Sequence, residues 1–215
     1  MNSRVFRPRP TDNSLIPDVI FVLLITNGLV YALQWQFPEF INSNFALHSL
    51  NASRYVPGGD FQVWQLLTYG FLHSMSSLYH IAFNMLALWM FGRDLERIMG
   101  PQRFAIFWVV CVVGAGIVQL LVSVVTGQPS ITVGASGGVF GVLMAFALAF
   151  PNRTIMLLFP PIPMRAKYFV ALYGLFTLFL GVSGGAPRIA HFAHLGGMLF
   201  GYLAIRYWAR DRRRR

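Results

Sequence analysis

The stretch Phe104–Val125, FAIFWVVCVVGAGIVQLLVSVV, contains no charged residue. A helix needs ~20 apolar residues to cross a ~30 Å hydrocarbon core, so this segment reads as a transmembrane span. The composition agrees with it. Of 215 residues, 56% are hydrophobic and 11% charged, and mean hydropathy is +0.57. A soluble domain carries ~25% charged residues, so this chain cannot supply a polar shell, and the same figures exclude disorder. Working outward, five more apolar stretches follow the same logic: Val19–Trp35, Leu78–Phe91, the short Ser136–Phe150, Tyr168–Val182 and Ile189–Trp208. Pro17 and Asp18 mark the first helix start. Breakers separate the stretches at Pro57-Gly58-Gly59, Gly100-Pro101, Gly127-Gln128-Pro129, Pro160-Pro161-Ile162-Pro163 and Gly184-Gly185-Ala186-Pro187. The runs are continuous rather than alternating, which argues against a β-barrel. The predicted class is all-α: a polytopic bundle of six transmembrane helices over 17–208, with a basic segment 1–16 before it and a basic tail 209–215 after it. Basic residues precede a full span and no small-residue cleavage site follows, so a signal peptide is not expected. No tandem repeat or second domain is visible.

Charge sets the orientation. With the amino terminus inside, the inner segments carry Arg4, Arg7, Arg9, Arg93, Arg97, Arg103, Arg153, Arg165, Lys167, Arg206, Arg210 and Arg212–Arg215, fifteen of the seventeen basic residues. Only Arg54 and Arg188 fall outside. The positive-inside rule then places both termini in the cytoplasm, and the expected setting is a bacterial inner membrane. The arginine-rich tail reads as a topology signal resting on anionic lipid headgroups, worth ~1 kcal/mol per charge near the surface. Tyr207 and Trp208 suit an interfacial belt better than a nucleic-acid surface, and no nucleic-acid partner is expected.

Polar groups within spans are costly and point to function. Those that stand out are His80 and Asn84, Gln119, Ser136, and His191 and His194. His80 lies 13 residues before Arg93, Ser136 14 before Phe150, and His194 12 before Arg206. At 1.5 Å per residue all three sit ~18–21 Å above the inner boundary, in one layer. Polar groups of a transport path would be spread over many depths.

A serine hydroxyl is a poor nucleophile until a base takes its proton, and His194 or His191 can be that base. No Asp or Glu occurs between Arg97 and Arg210, which favours a Ser-His dyad over a triad with a buried Asp. His80 and Asn84 are four apart and share a helix face, where their side chains can donate to an oxyanion. Ser136 sits in Gly134-Ala135-Ser136-Gly137-Gly138 at a helix start, where its own N–H lacks a helical partner. Gly137 and Gly141 repeat at four, as do Gly197 and Gly201, two small-residue faces that let helices approach closely. His194 shares the stripe of Gly197 and Gly201, whereas His191 lies ~120° around from Gly197 and ~4.5 Å nearer the outer surface. His194 is therefore the preferred base, and His191 a solvated or loop-bonded residue near the mouth. Phe140, one turn below Ser136, can stack on an imidazole. Gln119 reads as an interhelical hydrogen bond, Glu96 as a structural neighbour of Arg93 and Arg97, and Cys111 as an apolar core thiol. His73 reads as a loop-end residue, with a part in supporting the site as the alternative. A single cysteine excludes both a disulfide framework and a cysteine-built zinc site.

Gly134–Gly141 (GASGGVFG), His80–Asn84 (HIAFN) and Ala193–Gly201 (AHLGGMLFG), in this order and placement, resemble the rhomboid intramembrane serine proteases. Gly92-Arg93-Asp94-Leu95-Glu96 followed by Gly100 is similar to the family's stretch closing the second span. The resemblance covers nearly the whole chain. It implies Ser136 as nucleophile, His194 as base, and an oxyanion site of the Ser136 N–H with the His80 and Asn84 side chains. It also implies a six-helix bundle open to the outer side that cuts transmembrane proteins without metal or ATP. The first loop, Gln36–Gln65, is implied to form a lateral structure dipping into the outer leaflet; its own residues say only that it is aromatic and interfacial. The family's Trp-Arg pair is not kept there, since Gln65 follows Trp64. The expected activity is endoproteolysis of single-span substrates near their outer end, where helix-weakening residues ease unwinding. The rival is a non-catalytic relative that binds and escorts membrane clients; intact Ser136, His194, His80 and Asn84 speak against it.

Overall fold

The computed structural model describes residues 18–54, 59–156, 161–183 and 190–214. Arg4, Arg7, Arg9, Pro17, Arg188 and Arg215 lie outside the described residues, as do the breakers at 57–58 and 184–187. Helix α1 (Asp18–Gln36) leads into a structured connection made of α2 (Pro38–Phe45), β1 (Leu47–His48), a 3-10 turn at Ala52–Arg54, α3 (Gln65–Thr68) and a second 3-10 turn at Tyr69–Phe71. Next comes one continuous rod: α4 (Leu78–Ala87), a π-helical stretch Leu88–Gly92, and α5 (Arg93–Met99). The long α6 (Pro101–Thr126), β2 (Ile131–Thr132) and α7 (Ser136–Ala149) follow. A hairpin of β3 (Thr154–Met156) and β4 (Pro163–Arg165) then leads to α8 (Ala166–Ser183) and α9 (His191–Arg214).

Three of these helices, α1, α6 and α8, are long and apolar enough on their own to cross a membrane. Many large side chains on α1 and α8 face outward, among them Phe21, Val22, Leu29, Leu172, Phe176 and Phe179. Water would penalise such a surface and hydrocarbon would not. The chain is a helical membrane protein. Three further elements fall on the other predicted stretches. The second-span rod runs on past Phe91 to Met99, and α9 continues to Arg214. The third, α7, is apolar but has only 14 residues, ~21 Å of helix against a ~30 Å core. It is also the most enclosed helix, packed against α6, α8, α9 and the π-helical stretch, and it buries Val139, Phe140, Val142, Leu143, Ala145 and Phe146.

Basic residues gather at the end of the bundle opposite Ser136. Arg153, after α7, donates to Asp94 of α5 at 2.6 Å. Arg103 at the start of α6 lies 5.4 Å over the Trp208 ring of α9. Glu96 does more here than neighbour its arginines. It is buried, and its carboxylate oxygens accept the N–H groups of Val19 and Ile20 at 3.0 and 2.9 Å. A helix start leaves such N–H groups without helical partners, and a carboxylate there also suits the helix dipole. Glu96 thus caps α1 from another span. The adjoining turn uses Gly100 at φ +82°, open to glycine, and Pro101 then begins α6.

The two short strand pairs were not foreseen. The pair β1–β2 is antiparallel, Leu47 opposite Thr132 and His48 opposite Ile131. It fastens the first connection to the segment just before Ser136.

Candidate active site

Ser136 opens α7, and His194 stands in the first turn of α9. Their packing is backbone on backbone. A methyl on Gly197 would run into the Gly137 carbonyl, and one on Gly201 would lie 2.9 Å from Gly141 Cα. Gly141 in turn faces the buried thiol of Cys111 and the Gly197 carbonyl. The two glycine faces therefore meet, as the spacing of four predicts, and the contact brings His194 Nε2 to 2.8 Å from Ser136 Oγ. Phe140 lies parallel to the His194 ring, centroids 4.2 Å apart at 9°, and Tyr173 of α8 backs Phe140 at 4.9 Å. The imidazole is thereby held flat while its Nε2 edge faces the hydroxyl. With Nε2 as acceptor, Oγ–H donates to it, the arrangement that readies an oxygen for attack.

Gly134, at φ +132°, lies between the serine and the second-span rod. A methyl there would meet His80 Nε2 at 3.0 Å and Ser136 Oγ at 3.5 Å. Glycine thus keeps open the small space that both atoms border. The His80 tautomer follows from its other nitrogen, which accepts the Ser74 backbone N–H at 3.1 Å. An imidazole whose Nδ1 accepts carries its hydrogen on Nε2, so His80 presents an N–H donor to that space. Asn84 is buried, and its amide donates to the His80 carbonyl at 2.8 Å, leaving the second amide hydrogen. The Ser136 N–H, in the first turn of α7, has no intrahelical acceptor.

Other sequence expectations meet different outcomes. His191 is buried rather than solvated; its Cβ packs 3.2 Å from the position of a methyl on Gly181, at the α8–α9 contact, and its ring lies edge-on to His194. Gln119 reaches Ser130 Oγ at 3.5 Å, in the connection after its own helix, rather than another helix. His73 is buried with its ring edge-on to His80, centroids 5.2 Å apart. Gln65, in place of the family's arginine, is buried and accepts the His48 and Gln62 N–H groups, each at 3.2 Å.

Two supporting residues escaped the sequence reading. Tyr69 accepts the Gly134 N–H on its carbonyl at 2.9 Å and donates its hydroxyl to the Val112 carbonyl of α6 at 2.8 Å. It joins the serine loop to α6 from a connection that shows no motif. Gln34, near the end of α1, is completely buried and bonds both backbone groups of His73. A polar residue within a span was the available signal.

A Rhomboid domain model matches residues 60–210. The chain is 30% identical over 196 residues to Rhomboid protein 1, mitochondrial, of Saccharomyces cerevisiae, covering 86% of this chain and 52% of that protein. It is 28% identical over 187 residues to the human Presenilin-associated rhomboid-like protein, mitochondrial, covering 86% and 47%. It is 33% identical over 147 residues to Rhomboid protease GluP of Bacillus subtilis, covering 66% and 25%. The chain spans about half the length of the first two relatives. The long apolar helices support residence in a membrane, but the relatives that cover 86% of this chain carry mitochondrial names, so the bacterial inner membrane expected from the sequence is not supported. With the Rhomboid domain model matched across most of its length, on a helical membrane fold, the chain belongs to the rhomboid family.

Proposed function

We propose that the chain is an intramembrane serine endopeptidase that cleaves transmembrane protein substrates near the outer face through an acyl-enzyme. The observation that carries this reading is the 2.8 Å approach of His194 Nε2 to Ser136 Oγ, with the imidazole stacked on Phe140. Ser136 Oγ attacks the substrate carbonyl carbon while His194 Nε2 takes the hydroxyl proton. The oxyanion receives hydrogen bonds from His80 Nε2–H, Asn84 and the Ser136 N–H. Collapse breaks the C–N bond, and His194 returns the proton to the leaving amine. Water, deprotonated by His194, then hydrolyses the ester. These donors act in a water-poor site, where fixed dipoles stabilise developing charge far better than in bulk water. The shortness of α7 supports the depth assigned to the site: with the Ala149 end of α7 at one membrane boundary, Ser136 falls ~9 Å short of the other. Residues 17–208 form the membrane domain, and both basic ends lie on the cytoplasmic side, the tail against anionic lipid headgroups.

The test is cleavage of a model transmembrane substrate by the purified chain in detergent, together with labelling by a fluorophosphonate. Wild type should cleave and be labelled at Ser136, and folded Ser136→Ala should do neither. Retained cleavage in that variant would sink the reading and leave the non-catalytic escort as the better account.

A further inference from the structure

The first span carries a polar residue with no part in the chemistry above, yet its bonds lead to it. Gln34 is completely buried two residues from the end of α1. Its Oε1 accepts the His73 N–H at 2.8 Å, and its Nε2 donates to the His73 carbonyl at 3.1 Å and to Asn42 Oδ1 at 3.0 Å. Both amide hydrogens and the carbonyl are therefore used, and the amide grips the His73 backbone as a neighbouring strand would.

The His73 carbonyl and the Ser74 N–H belong to one planar trans peptide, so they point in opposite directions. Gln34 holds the carbonyl end. The N–H end donates to His80 Nδ1 at 3.1 Å. Were this plane to turn over, a carbonyl would face Nδ1. Nδ1 would then have to carry the hydrogen, and Nε2 would meet the space beside Gly134 as a lone pair. The edge-on contact of the His73 ring, 5.2 Å between centroids, restrains the imidazole but does not choose its tautomer. The bonded peptide does.

We propose that Gln34 is a positioning residue: by locking the His73–Ser74 peptide it fixes His80 as the Nε2–H tautomer that faces the oxyanion. The inference rests on the proposed hydrolytic function for its kinetic arm and is independent of it for its spectroscopic arm. Three elements meet in it. The end of α1 supplies Gln34, α2 steadies it through Asn42, and the connection before α4 carries the peptide.

The kinetic arm measures the second-order rate of phosphonylation by a fluorophosphonate in the full chain. The Ser136 Oγ–P bond forms, the P–F bond breaks and fluoride leaves, and the serine proton passes to His194. The phosphoryl oxygen takes the place of the oxyanion. Gln34→Met keeps the volume and removes all three bonds. It should slow labelling by roughly 10- to 100-fold, below the ~10²–10³ of losing a donor outright. In a His80→Ala background the same substitution should change the rate less than about twofold, because its route to the oxyanion is gone. Equal slowing in both backgrounds, or none in the first, would overturn the proposal, since a residue that merely holds the fold acts with or without His80.

The spectroscopic arm needs no Gln34 variant. The imidazole nitrogens of His80, assigned in ¹⁵N-histidine-labelled wild type by their loss in His80→Ala, should show hydrogen on Nε2 and a bare Nδ1. The opposite tautomer would refute the proposal even if Gln34→Met failed to fold. Labelling of Ser136→Ala at the wild-type rate would instead strike the hydrolase reading and leave the tautomer assignment standing.

Discussion

The two halves of the site are built by opposite means. On the serine side, α7 and α9 touch through glycine faces, and Ser136 and His194 meet because two backbones lie against each other. On the donor side, His80 and Asn84 stand on a rod whose approach is set by hydrogen bonds between residues far apart in sequence. Gln34 to His73 spans 39 positions, and the Tyr69 carbonyl takes the Gly134 N–H. Close packing tolerates almost no added volume. A hydrogen-bonded tether tolerates volume but not the loss of a partner. Substitutions on the two sides should therefore fail differently, one in folding and the other in rate.

The largest effect is expected on the serine side without any change in packing. His194→Ala should lose activity as completely as Ser136→Ala, on the order of 10⁴-fold or more, the scale seen when a serine hydrolase loses its nucleophile or base. His191→Ala should keep measurable cleavage, because His191 packs against α8 at Gly181 while His194 faces the hydroxyl. Cleavage assays on folded variants decide it, and the reverse pattern would overturn the choice of base.

Next in size is Asn84→Ala on the donor side. One Asn84 amide hydrogen is committed to the His80 carbonyl, and the other is the proposed oxyanion donor. Turnover should fall ~10²–10³-fold with little change in KM, since such a donor acts mainly in the transition state. Unchanged turnover with a lower melting temperature would make Asn84 a structural link within α4.

This contrast also explains what could be read in advance. Gly137, Gly141, Gly197 and Gly201 repeat at four, and helical geometry turns such spacing directly into a face. Counting from the inner end of each span places His80, Ser136 and His194 in one layer because helical rise is fixed. Tyr69 and Gln34 obey no such period. Each acts through backbone groups of a connection whose course depends on the whole fold, and no spacing encodes which carbonyl a distant amide will meet. Gln119 shows the same limit: its polarity was visible, but its partner Ser130 lies in a connection. The π-helical stretch at Leu88–Gly92 and the β1–β2 pair lacked a sequence signal for the same reason.

A glycine exchange tests the packed half against the lipid-facing surface. Gly197→Ala puts a methyl into the Gly137 carbonyl, where only backbone could yield. Overpacking of this kind costs about 1–3 kcal/mol, occasionally more, and should lower both the melting temperature and the labelling rate as α9 backs away from Ser136. Gly28→Ala is the control, since nothing lies within 4 Å of the added methyl. It should be neutral or slightly stabilising, because alanine favours a helix interior by up to ~1 kcal/mol over glycine. Melting curves with fluorophosphonate rates for both variants would expose a tolerant α7–α9 contact if Gly197→Ala behaved like Gly28→Ala.

Apart from the Gly28 control, the smallest effect is expected at Tyr69, where the two means of construction meet in one residue. Its hydroxyl bonds the Val112 carbonyl of α6, while its own carbonyl holds the Gly134 N–H beside the serine. Tyr69→Phe removes the first bond and keeps the second. The Val112 carbonyl already serves the α6 ladder, so it keeps a partner, and the net loss should be about 0.5–1.5 kcal/mol of stability. The ring still fills its buried place, and the Gly134 loop keeps its backbone tether. The phosphonylation rate should therefore change by less than about threefold. A small melting shift with a near-normal rate would show that Tyr69 positions the serine loop through its backbone. A tenfold slower rate with unchanged melting would mean that the hydroxyl itself sets the serine, and that the tethered half of the site reaches further into the packed half than the glycine contacts indicate.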